Sequence, residues 1–189
     1  MALLTALIDA NIFFSITLAD IFVETAKAGI YRGRWSEEIH AEWIFNLRAK
    51  QPERLDDAFQ RRRRAMDQAV RDCVITGYEQ LIPLLELPDP DDRHVLAAAI
   101  AGRCDVIVTL NLKDFPAIAL ATHGIKAVHP DAFLCDRFAE NEAMFVASVG
   151  ACRDRMRNPP RTADDYIAQL DKVGLPKLAA MLSDHSASI

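Results

Sequence analysis

Apolar residues fall into a few short runs, separated by longer segments in which they recur every three or four positions. The first run, Leu3 to Ile8, stops at Asp9, as expected of a buried central strand whose carboxyl end carries a polar residue. A helix is predicted over about Ile12 to Ala28. Ser36 is a favourable N-cap for the next segment, EEIHAEWIFNLRAK, in which Ile39, Trp43 and Leu47 recur at helical spacing while Glu38 and Glu42 share a face. A further helix is expected from Pro52 to about Val70. Cys73 to Leu87 reads as loop with a short helical turn around Tyr78 to Leu81.

The stretch LPDPDDRHVL opens the next element, predicted to be helical from Asp89 to Arg103. Asp89 suits the N-cap, Pro90 the first helical position, and Asp91 and Asp92 the first turn, where carboxylates meet the positive end of the helix dipole. Asp92 differs from its neighbours in direction: steps of three, four and seven reach Val95, Leu96 and Ala99, so its carboxylate begins the stripe that faces the core. A buried carboxylate needs a partner. Val106 to Thr109 is a β-branched strand with Thr109, Asn111 and Asp114 at its carboxyl end, Gly124 to Val128 is another, and a helix starts at Pro130.

Strands alternating with helices predict an α/β layered sheet, largely parallel, with ligands outside the carboxyl ends of its strands. After about Asp136 only helical patterns remain, near Arg137 to Met156, Thr162 to Val173 and Pro176 to Ser183, broken by RNPPRT. The expected organisation is an α/β unit over residues 1–135 and a small helical appendage over 136–189.

Composition narrows the classes without choosing among them. The chain has 189 residues, 51% hydrophobic and 26% charged, with a formal net charge of −5, an ordinary globular balance that disfavours nonspecific adhesion to nucleic acid but allows local basic patches. The apolar N-terminus has no basic n-region and is interrupted by Asp9, so no signal peptide is expected, and no run approaches a membrane span. The four cysteines are far apart with no CxxC pair, which predicts buried thiols in a reducing cytoplasm; the five histidines show no zinc-hydrolase spacing.

A parallel sheet would gather carboxylates from separate places: Asp9, Glu38 or Glu42, Asp91 or Asp92, and Asp114. Several carboxylates within ~4–6 Å raise one another's pKa, so such a cluster is stable mainly around a cation. An all-oxygen donor set favours Mg²⁺ or Mn²⁺, and such ions promote attack on a phosphodiester.

Four blocks carry a family resemblance as well. LIDANIFFS, WSEEIHAEW, DPDDRHVLAAAI and VTLNLKDFP resemble, in order and spacing across about residues 1–135, the signature blocks of PIN domains, particularly the VapC-type toxins of bacterial toxin–antitoxin pairs. The resemblance implies a three-layer α/β/α fold with a central, mainly parallel sheet. It also implies a cytoplasmic, metal-dependent endoribonuclease that cuts RNA, usually as a homodimer silenced by a cognate antitoxin. Carried over by position, Asp9 matches the first aspartate and Asn11 the polar residue that orients it. The resemblance selects Glu42 over Glu38, and Asp92 over Asp91 and Asp89. It assigns the last acid to Asp114, with Thr109 and Asn111 as polar neighbours, although relatives with aspartate at the position of Asn111 use that residue instead. The tail resembles the helical extension found on a subset of these toxins.

Two basic runs stand outside this pattern: Arg61, Arg62, Arg63 and Arg64, a possible RNA-backbone contact, and Arg153, Arg155, Arg157 and Arg161. A haloacid-type phosphatase would need D-x-D where this chain has Asp9-Ala10-Asn11. The alternative that remains is a noncatalytic PIN-fold module binding RNA or protein, which loss of acids would favour; here all four places are filled.

Overall fold

A computed structural model of the chain describes residues 3–51, 53 and 56–189. At its centre lies a five-stranded sheet in which β1 (Thr5–Ile8) is flanked by β2 (Arg32–Ser36) and β4 (Val106–Val108). β3 (Val74–Ile75) extends the sheet beyond β2 and β5 (Lys126–Val128) beyond β4; every pairing is parallel. The chain thus winds outward from β1 in one direction and then returns to wind outward in the other. That reversal leaves a crevice beyond the carboxyl ends of β1 and β4, the place where open parallel sheets hold ligands. Ile8 is level with Val108, so Asp9 and Thr109 emerge side by side.

Two strands differ from the sequence expectation. β2 reads RGRWS, too polar and too short of β-branched residues to register as a strand, and it forms because Gly33 and Trp35 bury against the core while the arginines do not. A Cβ at Gly33 would lie 3.0 Å from the Ala26 Cβ, so a bare backbone is what allows β2 to approach the neighbouring helix. β3 is only two residues long and lies in the stretch expected to be loop; the helical turn expected there appears as a 3₁₀ turn, Glu79–Leu84.

The helices are α1 (Ile16–Lys27), α2 (Glu37–Lys50), α3 (Asp56–Ala69), α4 (Arg93–Ala101), α5 (Ala117–Ala121), α6 (Pro130–Glu140), α7 (Glu142–Asp154), α8 (Ala163–Lys172) and α9 (Pro176–Ser183). They enclose the sheet as the outer layers of an α/β/α arrangement, with α4 against β1, β2 and β4 and α1 against β2. Ser15 and Ser36 cap α1 and α2 by accepting the Leu18 and Ile39 N–H groups. The first expected helix begins later than predicted because residues Ala10–Phe14 form a separate 3₁₀ turn capped by Asp9. The start expected for α3 at Pro52 lies outside the described residues.

α2 is anchored from below by a buried polar network. Trp43 Nε1 donates to His40 Nδ1 at 2.9 Å, leaving the opposite ring nitrogen as the hydrogen-bearing one, 2.9 Å from Asp67 Oδ1 on α3. Trp35 Nε1 donates to the same oxygen at 2.8 Å. Burial holds the His40 pKa below its ordinary value, consistent with this neutral tautomer.

The expected division at residue 135 falls inside α6, which is continuous from Pro130 to Glu140. Asn141 then breaks the helix expected to run from Arg137 to Met156 into α6 and α7, its side chain capping α7. α6 holds the C-terminal helices through Asp131, a buried carboxylate that accepts the Lys177 and Leu178 N–H groups at 3.1 and 3.0 Å, at the start of α9. The thiols of Cys73, Cys104 and Cys152 are buried as expected; Cys135, on α6, is only half-buried. No helix among the described residues is long and apolar enough to cross a membrane.

Candidate active site

Asp9 ends β1 with 4% of its surface exposed. Its Oδ1 accepts the Ala10 N–H at 2.7 Å, and its Oδ2 accepts both Asn11 Nδ2 at 2.5 Å and the Thr109 hydroxyl at 2.6 Å. Thr109 Oγ1 itself accepts Asn11 Nδ2 and the Asn111 N–H, each at 2.9 Å. With two donors already pointing at the oxygen, the hydroxyl hydrogen is directed to Asp9. Asn11 completes the clasp by accepting the Leu110 N–H at 3.1 Å, so one side chain ties the end of β1 to the end of β4. Burial pushes the Asp9 carboxyl up to about 6, with a smaller push from the Glu42 charge, against the pull of the Thr109 hydrogen bond.

The acidic stretch before α4 divides its labour. Asp89 caps the turn Pro90–Asp92 by accepting the Asp91 N–H at 2.9 Å, as its sequence context predicts. Asp91 is exposed and takes no further part. Asp92 is half-buried, and one oxygen each from Asp89, Asp92 and Asp114 come within 4.8 Å of one another. The Asp92 carboxyl is pushed up to about 7, first by burial and then by the charges of Asp9, Asp89, Asp114 and Glu42. Asp89 was expected only to cap; it also belongs to the cluster, which the bend of the 3₁₀ turn brings about and helical spacing does not encode. Asp9 stands outside this three-carboxylate group, and its charge is the largest of the carboxylate influences on Asp92.

Asp114 is buried at the end of the turn Leu112–Asp114, and Asn111 Nδ2 donates to its Oδ2. Asn111 therefore acts on Asp114, while the carboxylate that reaches the cluster is that of Asp114.

Glu42, on α2, completes the rim. Its charge acts on both Asp9 and Asp92, whereas Glu38 is not a principal influence on either. Both glutamates face His94, Glu42 at 3.5 Å from Nε2 and Glu38 at 3.6 Å from Nδ1. Burial works against the charged imidazole of His94, but the Glu42 and Glu38 carboxylates outweigh it and raise the pKa. No motif in the sequence marks His94. Its position two residues beyond Asp92, in the first turn of α4, gives no hint that α2 brings two carboxylates to it.

The run Arg61 to Arg64 is divided by α3. Arg62 donates to the Phe13 carbonyl at 2.7 Å and lies over the Trp43 ring at 4.8 Å, and Arg63 grips Glu37 with two hydrogen bonds of 2.6 and 2.5 Å. These two arginines brace the elements around the site. Arg61 and Arg64 are exposed.

A parallel sheet with a switch-point crevice and carboxylates from four separate segments describes the PIN domain, and the family model of that description matches residues 5–113. The chain belongs to the PIN domain family. A second model, described as the VapC50 C-terminal domain, matches residues 130–184. A Mycobacterium tuberculosis (strain ATCC 25618 / H37Rv) protein named "Putative ribonuclease VapC50" is 41% identical over 104 residues, which cover 55% of this chain and 60% of that relative. No solved structure matches significantly.

Proposed function

We propose that this protein is a metal-dependent endoribonuclease, the toxin of a type II toxin–antitoxin pair, acting in the cytoplasm as a homodimer and silenced by a cognate antitoxin. The observation that carries the reading is the carboxylate cluster itself. Asp9, Asp92, Asp114 and Glu42 come from four distant segments, and the first two are held far above the usual carboxylate range by burial and by the other acids. A site in which acids raise one another's pKa is short of positive charge. Its donors are all oxygens, which favours Mg²⁺ or Mn²⁺ over zinc.

Asp9, Asp92 and Asp114 are assigned as holding the cation, with Glu42 at the rim and Asp89 within reach of Asp92 and Asp114. A divalent cation there would acidify an attacking water and neutralise charge building on the phosphodiester. The remaining work belongs to the chain. Thr109 and Asn11 fix the Asp9 carboxylate so that it does not reorganise as charge develops. Asn111 orients Asp114. The α/β unit of residues 1–135 is assigned the chemistry, and the helices of 136–189 are assigned to substrate or antitoxin recognition.

The test is cleavage of labelled RNA by purified protein in Mg²⁺ or Mn²⁺, beside EDTA and Asp9→Asn controls, with Mn²⁺ affinity measured in parallel. Cleavage that persists in EDTA or in Asp9→Asn would sink the metal mechanism. RNA binding without cleavage, across a transcriptome-wide substrate pool, would favour the noncatalytic module.

A further inference from the structure

We propose that a pocket at the amino edge of the sheet, lined by Arg32, Arg34 and Arg71, binds a phosphate group. The pocket has a volume of about 580 Å³ and lies on the far side of the sheet's strands from the acidic cluster. Arg32 opens β2, Leu3 precedes β1, Arg71 and Asp72 precede β3, and Lys27 and Gly29 close α1. The four residues of β1 alone separate this edge from Asp9 by about 13 Å, so the two sites are distinct.

The charge balance of the pocket identifies its ligand class. Lys27 is engaged by Glu24 at 3.1 Å. Among the described residues, Arg32, Arg34 and Arg71 make no ion pair and no side-chain hydrogen bond. Arg34 is half-buried in the wall, where a guanidinium without a counter-charge carries a desolvation cost. A single carboxylate, Asp72, lies on the lining, and it pairs with none of the three. Three unpaired guanidiniums therefore face one unpaired carboxylate, in a chain whose net charge is −5. Guanidinium forks match the paired oxygens of a phosphate group.

This inference stands apart from the nuclease reading, and its test runs without divalent metal. The full chain in EDTA is titrated calorimetrically with pyrophosphate at constant ionic strength. Saturable binding is expected, weakened at least about tenfold by Arg34→Gln and by the double variant Arg32→Gln/Arg71→Gln, and unchanged by Arg157→Gln. Circular dichroism reports folding; should Arg34→Gln unfold, the double variant at the two exposed positions decides. Displacement of pyrophosphate by a single-stranded RNA oligonucleotide would support the pocket with RNA as the source of the phosphate. Binding that RNA does not displace would support it with a free phosphorylated small molecule as the source. Non-saturating heats, equal affinity in the variants, or a polyglutamate peptide that saturates the pocket where pyrophosphate does not would overturn it.

Discussion

The Thr109 hydroxyl donates to Asp9 Oδ2 across 2.6 Å and 100 residues of sequence, joining the carboxyl ends of two adjacent strands at the floor of the site. Thr109→Val keeps the shape and removes the hydroxyl, leaving Asn11 Nδ2 and the Asn111 N–H without that acceptor. The expected loss of stability is about 1–3 kcal/mol by urea denaturation. The Asp9 pKa should rise further, because the hydrogen bond that favoured its charged form is gone. Stability and Asp9 titration unchanged in Thr109→Val would show that the hydroxyl is idle.

Asp91 and Asp92 are neighbours with different fates, and substitution separates them. Asp92→Asn should abolish tight Mn²⁺ binding, measured by paramagnetic resonance, and raise the melting temperature of the metal-free protein at pH 8, since a repelling charge has been removed. Asp91→Asn should change neither by much. The reverse pattern would move the site to the other aspartate.

The pH dependence of the metal-free fold follows from the same groups. In the unfolded chain both carboxyls titrate near 3.8; in the folded one Asp9 titrates at about 6 and Asp92 at about 7. Between those values the folded state holds more protons than the unfolded state, so these groups lower stability as pH rises and do so fully above about 7. In EDTA the melting temperature should therefore fall from pH 5 to pH 8, and Mn²⁺ should restore more of it at pH 8 than at pH 5. A flat profile in EDTA would contradict the raised pKa values.

Asp131 holds two backbone N–H groups at the start of α9. Asp131→Ala should cost about 1–2 kcal/mol and expose the segment around α9 to limited proteolysis while β1 and β4 remain protected. Equal proteolysis of wild type and variant would mean that apolar packing alone secures the C-terminal helices.

Much was legible along the chain because it depends on neighbours in sequence. The runs Leu3 to Ile8 and Val106 to Thr109, the caps Ser36 and Asp89, and the inward direction of Asp92 all follow from spacing and local chemistry. β2 was not legible: RGRWS becomes a strand only because β1 offers it a partner and α1 a surface to meet. The role of His94 was not legible for a related reason, since its environment is made by Glu38 and Glu42, more than fifty residues earlier in the chain. The run at Arg61 to Arg64 looked uniform, yet the turn of α3 sends Arg62 and Arg63 to structural partners.

The sequence by itself determined β1 and β4 and the acids that follow them, because periodicity and capping are properties of a few consecutive residues. The tertiary structure alone decided that Asp89 joins Asp92 and Asp114, that Thr109 clasps Asp9, and that three arginines line one pocket at the opposite edge. Those relationships depend on the strand order β3-β2-β1-β4-β5, which sets distances between residues that no local pattern connects.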